Sequence, residues 1–512
     1  MRSKAVALSL SCFFLGCSSS SSSDNPADAG TVKPSDGGGS VSADGGTAPS
    51  DTVAESTRAS CGYDVGSLAA DTQGASAPDG ATIPIDTIVI VMMENRSFDH
   101  YFQDLPNQPG WSRGDGSATA SSSSVDVAPA GVTNPGIDGT PLPLAPVAAP
   151  DGGSSPSGFC FADTNHGWDG THQEINGGKM DGFAVANDGT HEDPMLGPPD
   201  FLNGARALIY YTKDQLPFMY WAAENFAIGD RYFAAVPGPT WPNREYLYAG
   251  TSWGETTTGA FPTLTTKTVL DSLSAKGVKW GNYAGSLSSV LLFSTSKTYQ
   301  STYAKNLYPS TQFATDAANG KLPTVTFLDP NLYPEGYDNN DEHPPAVMQV
   351  GEQWLAGVVK ELVASPQWPH MALFVLYDEH GGLYDHVAPP PACAPDATQP
   401  KVSDGGSTYG GFVEDGIRLP FAVLSPYAKH HYVSHKVFDH TSVLRFVEAR
   451  FGLPALTKRD ANALAPWDVF DFKSAPMLTP PAVPDVPVDQ TIIDQCKTIF
   501  TAADVAASDF SM

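Results

Sequence analysis

Four apolar runs, each broken off by polar residues, constrain the fold of this chain more than any other feature. Residues 88–93 stop at Glu94-Asn95, 325–328 at Asp329, 371–377 at Asp378-Glu379 and 421–424 at Ser425-Pro426. Unbroken runs rich in β-branched residues mark strands covered on both faces, as in a parallel sheet. Residues 347–362 place Val347, Val350, Trp354, Val358 and Leu362 at near-helical spacing, and 442–451 do the same with Val443, Phe446, Val447 and Phe451. Strands alternating with such helices predict an α/β fold: a central, mostly parallel sheet, helices on both faces and right-handed crossovers. In open parallel sheets the ligand site lies beyond the carboxyl ends of the strands, which is where Glu94, Asn95, Asp378 and Glu379 fall.

The residues at those ends can do chemistry. In Glu94-Asn95-Arg96-Ser97-Phe98-Asp99-His100-Tyr101-Phe102 a carboxylate and an amide offer hard oxygen donors to a divalent cation. The plainer reading is helix capping by Asn95 or Ser97. The second acidic pair shifts the balance, because Asp378-Glu379 on an adjacent strand would repel the first group unless a cation lay between them. Gly381-Gly382 follow and let backbone come close to a ligand. A third motif, Gly238-Pro239-Thr240-Trp241-Pro242-Asn243-Arg244, puts a hydroxyl at the start of a helix, where a phosphate or developing alkoxide is favoured. Thr240 is therefore a candidate nucleophile, against the bland alternative of an ordinary N-cap. The pattern Thr240-x-Pro242-x-Arg244 also has the form of the sulfatase motif, but Thr cannot become formylglycine, which favours phosphate over sulfate esters. His166, His172, His343, His386 and His440 lie near these motifs, and imidazole can neutralise phosphate oxygens or protonate a leaving alkoxide.

The start of the chain reads as an export signal. Arg2 and Lys4 precede an uncharged stretch over 5–15, and Phe14-Leu15-Gly16-Cys17 has the form of a bacterial lipobox, with Cys17 as the lipidated residue. The stretch is too short to span a membrane. A serine run at 18–23 and Asp-, Gly- and Pro-rich sequence to about residue 60 form an expected flexible tether. The remaining cysteines, Cys61, Cys160, Cys393 and Cys496, suggest two disulfides in an exported protein, with three connectivities open. A net charge of −28 would repel a phosphate backbone, so nucleic acid is excluded as a partner. The expected organisation is a signal at 1–17, a tether at 18–60 and a catalytic domain at 61–512. Within that domain 111–156 is a surface excursion and 452–512 a C-terminal strap, extended and Pro-rich over 476–487.

With the three motifs in hand, together with residues 172–183, Asp341-Glu342-His343-Pro344 and Asp439-His440-Thr441-Ser442, the chain resembles the bacterial phosphoesterase family of phosphatidylcholine-hydrolysing phospholipases C and related acid phosphatases, within the alkaline-phosphatase-like superfamily. The resemblance runs over about 85–451. It implies Glu94, Asn95, Asp378 and Glu379 as ligands of one divalent ion (calcium, magnesium, manganese or zinc), with Thr240 as nucleophile and further ligand. It also implies His166 or His172 with His343 around the phosphate, and Arg244 in the catalytic set. The expected function is an exported, lipid-anchored phosphoesterase of the bacterial envelope working through a phosphothreonine, with phospholipids as the first substrate class. An acid phosphatase on monoesters is the alternative; a surface binding lipoprotein on a degenerate phosphatase fold is the non-catalytic one. The chain is shorter at its C-terminal end than the larger phospholipases C.

Overall fold

In the computed structural model the described residues are 48–147, 158–161, 163–188, 204–295, 302–332, 336–402 and 406–499; the signal stretch, Cys17 and the serine run lie outside them. The fold is organised by strand β1 (Thr87–Met93), all seven residues of which are buried. It is followed by α1 (Phe98–Phe102), α2 (Trp168–Ile175), α3 (Pro217–Asn225), β2 (Ala227–Gly229), α4 (Thr240–Ala249) and α5 (Val269–Lys276). Next come β3 (Trp280–Ala284), β4 (Leu307–Pro309), β5 (Val325–Asp329), α6 (Met348–Val363), β6 (Met371–Tyr377), β7 (Ala422–Leu424), β8 (Tyr432–Ser434) and α7 (His440–Phe451). The sheet runs β4-β3-β5-β1-β6-β7-β2-β8. β1 pairs in parallel with β5 on one side and β6 on the other, so the two longest apolar runs lie side by side at its centre. Since successive side chains of a strand point to opposite faces, complete burial of β1 and β6 requires cover on both. Two helix groups supply it, α4 with α5 and α7, and α3 with α6. The predicted α/β architecture is thus the observed one.

Three sequence readings change. β7 is antiparallel to both its neighbours, so Ser425 lies at the opposite end of the sheet from Asp378, its hydroxyl donating to Met371 O at the start of β6. The tether does not reach residue 60: Asp51–Ala59 is helical, with Asp51 accepting from Ser76 N and Arg58 bound to the carbonyl of Thr72. The helix expected over 442–451 begins two residues earlier, because Asp439 and Ser442 form a reciprocal capping box. The cysteines pair as Cys61–Cys393 and Cys160–Cys496, the latter tying a C-terminal helix (Gln490–Ile499) to the segment before His166. No helix among the described residues is long and apolar enough to cross a membrane.

Candidate active site

Register alone brings the first two motifs' carboxylates together. Met93 lies opposite Tyr377, so the next residues, Glu94 and Asp378, emerge side by side beyond the sheet. Asp378 N donates to Met93 O at 3.1 Å, and Asn95 N donates to Asp378 Oδ1 at 3.1 Å. Asn95 adopts a left-handed conformation (φ 62°), which Asn tolerates better than most residues. A Cβ at Gly381 would collide with the Asn95 backbone, so this glycine permits the close approach of the two strand-end turns. Capping falls to Ser97, whose hydroxyl accepts from His100 N, and Asn95 is left for other work.

Thr240 is the first residue of α4, and its hydroxyl makes no capping bond. The turn before it is held by Asn243, which donates to Gly238 O (2.8 Å) and accepts from Val236 N (3.1 Å). One helical turn after Thr240, on the same face, Arg244 donates to Glu94 Oε1 at 3.0 Å and places Nε 3.4 Å from Asp378 Oδ2. It therefore docks the Thr240 helix onto both strand ends. Three buried oxygens here, Asn95 Oδ1, Thr240 Oγ1 and Glu379 Oε1, have no hydrogen-bond partner, and Asp378 Oδ2 has only its 3.4 Å ion pair with Arg244. An unpaired buried acceptor costs about 1–3 kcal/mol, so such a group calls for an external partner. All-oxygen donors of this kind fit a hard divalent cation. Burial pushes Glu94 well above the usual carboxylate range and Asp378 up to about 6, Arg244 opposing in both cases and neighbouring carboxylates adding to the rise. Burial would raise Glu379 too, but His166 and His380 outweigh it and hold it low.

The histidines divide into groups. His166 Nδ1 donates to Thr164 O (2.6 Å), and its Nε2 lies 3.4 Å from Asn95 Nδ2. Its ring stands 5.9 Å from that of His343. Asp163 joins them: ligand-type atoms of Asp163, His166 and His343 all lie within 4.8 Å of one another. Burial lowers the His343 pKa; it opposes a rise at His166 that Glu379 and Asp163 nevertheless produce. His172 is elsewhere, stacked on Tyr409 (3.8 Å, 10°) and bonded to Trp168 O. His440 bridges Asp378 O (2.7 Å) and the Tyr232 hydroxyl, and burial brings its pKa down to about 3, so it is neutral. His380 pairs with Glu174 at 2.6 Å, an ion pair strong enough against burial to raise it to about 9. Sequence reasoning missed Asp163 and Glu174; the only signal for Asp163 was a carboxylate three residues ahead of His166.

A helix start with a free hydroxyl, docked onto acidic strand ends, is an arrangement suited to phosphate esters, and similarity to known proteins gives the class, a hydrolase of phosphoric esters. Residues 85–454 match the model of the phosphoesterase family, and the chain belongs to it. It is similar to "Phospholipase C B" of Mycobacterium tuberculosis (strain ATCC 25618 / H37Rv), 31% identical over 445 residues that cover 79% of this chain and 81% of that protein. "Non-specific phospholipase C6" of Arabidopsis thaliana is 29% identical, covering 79% and 75%. Among solved structures, one described as a protein in the alkaline phosphatase superfamily from Vibrio parahaemolyticus covers 58% of this chain and 79% of its own, at 12% identity and a TM-score of 0.30.

Proposed function

We propose that this protein is an exported phospholipase C in which Thr240 carries the phosphoryl group and Glu94, Asn95, Thr240, Asp378 and Glu379 hold one divalent ion. The observation that carries the reading is the unpartnered Thr240 hydroxyl at a helix start, docked through Arg244 onto strand ends where Asn95 Oδ1 and Glu379 Oε1 are also unpartnered. Held by these five residues, a divalent cation would lower the pKa of the Thr240 hydroxyl and take up charge growing on the phosphoryl oxygens. The Thr240 hydroxyl loses its proton to water, Oγ1 attacks phosphorus in line, the bond to the leaving alcohol oxygen breaks as the bond to Oγ1 forms, and the alcohol leaves protonated. His166, beside the Asn95 amide, and His343, whose ring stands 5.9 Å from that of His166, are the candidates to supply that proton. Water then attacks the phosphothreonine and regenerates the hydroxyl. Arg244 orients Glu94 and Asp378 throughout. The relatives named for phospholipase C activity support phospholipid as the substrate, and the lipobox with Cys17 supports attachment to the bacterial envelope.

Purified enzyme and its Thr240→Ala variant are to be given phosphatidylcholine, phosphatidylinositol, p-nitrophenylphosphate and p-nitrophenylphosphorylcholine side by side. Release of diacylglycerol by the wild type, abolished in the variant, is expected. Efficient monoester hydrolysis with intact phospholipid would assign an acid phosphatase instead, and wild-type turnover in Thr240→Ala would end the covalent mechanism.

A further inference from the structure

The same motifs meet a second time, around a carboxylate that the chemistry above does not use. Glu342 stands between Asp341 and His343, fully buried, with a φ of 77°. That left-handed backbone is strained for a residue with a long side chain and persists only where the surroundings over-determine it. Here they do. Glu342 Oε2 accepts from the Tyr101 hydroxyl, and the Tyr377 hydroxyl lies 2.8 Å from the same oxygen and 2.7 Å from the Tyr101 hydroxyl. The Glu342 carbonyl accepts from the Arg96 guanidinium. A methyl group at Gly351 of α6 would overlap the Glu342 side chain, so the helix surface is shaped to receive it. Tyr101 and Arg96 belong to the first strand-end motif, and Tyr377 is the last residue of β6, directly before Asp378. On either side of Glu342, Asp341 O accepts from Glu94 N (3.0 Å), and Asp341 Oδ1 accepts from His343 N (3.1 Å).

We propose that Glu342 is a positioning residue: by gripping Tyr101 and Tyr377 it locks the peptide that carries His343 against the ends of β1 and β6. Its carboxylate hydrogen-bonds to Tyr101 and Tyr377, and it acts through where it holds the His343 ring. The inference rests on the phosphoryl-transfer reading, in which His343 stands beside the reacting phosphate. It explains why the motif at Tyr101, the motif at Tyr377 and Asp341-Glu342-His343-Pro344 occur in one chain although most of their residues do not face the chemistry.

Three variants separate the possibilities. Glu342→Gln keeps an oxygen that can accept from both tyrosines, and because Oε1 makes no hydrogen bond the amide nitrogen displaces none. Glu342→Gly keeps the left-handed backbone without strain and removes the grip. Tyr101→Phe with Tyr377→Phe removes the donors while preserving shape, and reads the same effect should the glycine variant fail to fold. Turnover of the best substrate and thermal unfolding are measured for each, well below the unfolding transition. Misplacing a catalytic group by about an ångström costs on the order of 100-fold, so Glu342→Gly and the double Phe variant should lose about 10- to 100-fold in kcat. KM should stay within about twofold, as for a group acting only in the transition state. Glu342→Gln should restore most of kcat. Wild-type kcat in a folded Glu342→Gly or double Phe variant, or a loss that Glu342→Gln does not relieve, would overturn the proposal. Failure of the underlying reading shows separately, as turnover that survives Thr240→Ala, and leaves the comparison among the Glu342 variants readable.

Discussion

Two buried clusters of carboxylates in this molecule use the same residue types to opposite ends. Around Arg418, the side chains of Asp99, Asp126 and Asp385 are saturated from within. Arg418 donates from Nε to Asp385 (3.0 and 3.1 Å) and from a terminal nitrogen to Asp99 Oδ1 (3.0 Å), while His386 bridges Asp99 Oδ2 (2.7 Å) and Asp126 Oδ1 (3.2 Å). Backbone amides of Asp99, Ala128, His386 and Val387 take the remaining lone pairs. Asp99, Asp385 and His386 are spaced as metal ligands could be, yet a guanidinium already occupies the cationic place. At the strand ends, by contrast, Arg244 serves Glu94 and Asp378 and His380 lies 3.5 Å from Glu379, yet Asn95 Oδ1, Thr240 Oγ1 and Glu379 Oε1 have no hydrogen-bond partner and Asp378 Oδ2 has only the Arg244 ion pair. What separates a structural ion-pair network from a ligand site is therefore not the acidic residues but how fully the chain satisfies their oxygens.

The sharpest way to break this contrast is to neutralise each cluster and ask what fails. Asp378→Asn combined with Glu379→Gln should lower turnover by at least about a thousandfold and abolish retention of a divalent ion in elemental analysis, since donors essential to transition-state charge are lost. The metal-free protein should unfold within about 1–2 kcal/mol of chelator-treated wild type, because relief of the buried Asp378 charge offsets the lost pairing of Glu379 with His166 and His380. Arg418→Met should do the reverse. Stranding buried Asp99 and Asp385 costs about 3–5 kcal/mol in denaturant unfolding. An Arg418→Met protein as stable as wild type, or a strand-end double variant that loses stability on that scale, would show that the two clusters do not differ in the way described.

Much of this was legible before the structure. Residues 88–93 and 371–377 announced themselves because a strand buried on both faces has no polar alternation, and their abrupt polar ends located the site. Thr240 was legible through the prolines around it. The direction of β7 was not, since a three-residue apolar strand reads the same in either orientation and only its pairing sets it. Four of the eight sheet strands lie between Asp163 and His343 in sequence, so their meeting is a tertiary fact that no local spacing carries. The choice between His166 and His172, six residues apart, turned on the start of α2 at Trp168: His166 lies before the helix, against Asn95, and His172 lies within it, against Tyr409. Cysteine pairing was open for the same reason, each disulfide joining residues more than three hundred positions apart (332 and 336).

The smallest expected effect concerns pH and tests whether the Arg418 cluster is held by charge. Burial works against protonation of His386, but Asp99 and Asp126 overcome it, Arg418 opposing, and raise its pKa to about 9. A histidine whose folded pKa lies above the ordinary value of about 6.5 binds its proton more tightly when folded, so it stabilises fully below that value and the contribution is lost as pH rises through 9. Asp385 does not confuse this window. Burial raises it to about 6, and the stability it forfeits on ionising is gone by then. His380 does titrate in the same range, held up to about 9 by Glu174, so the wild-type slope alone is ambiguous. The difference between wild type and His386→Gln isolates the term. Wild type should lose on the order of 2–3 kcal/mol more than the variant in unfolding free energy between pH 6.5 and 9.5. Parallel curves for the two proteins would mean that His386 is neutral across the range and that Arg418 alone balances Asp99, Asp126 and Asp385.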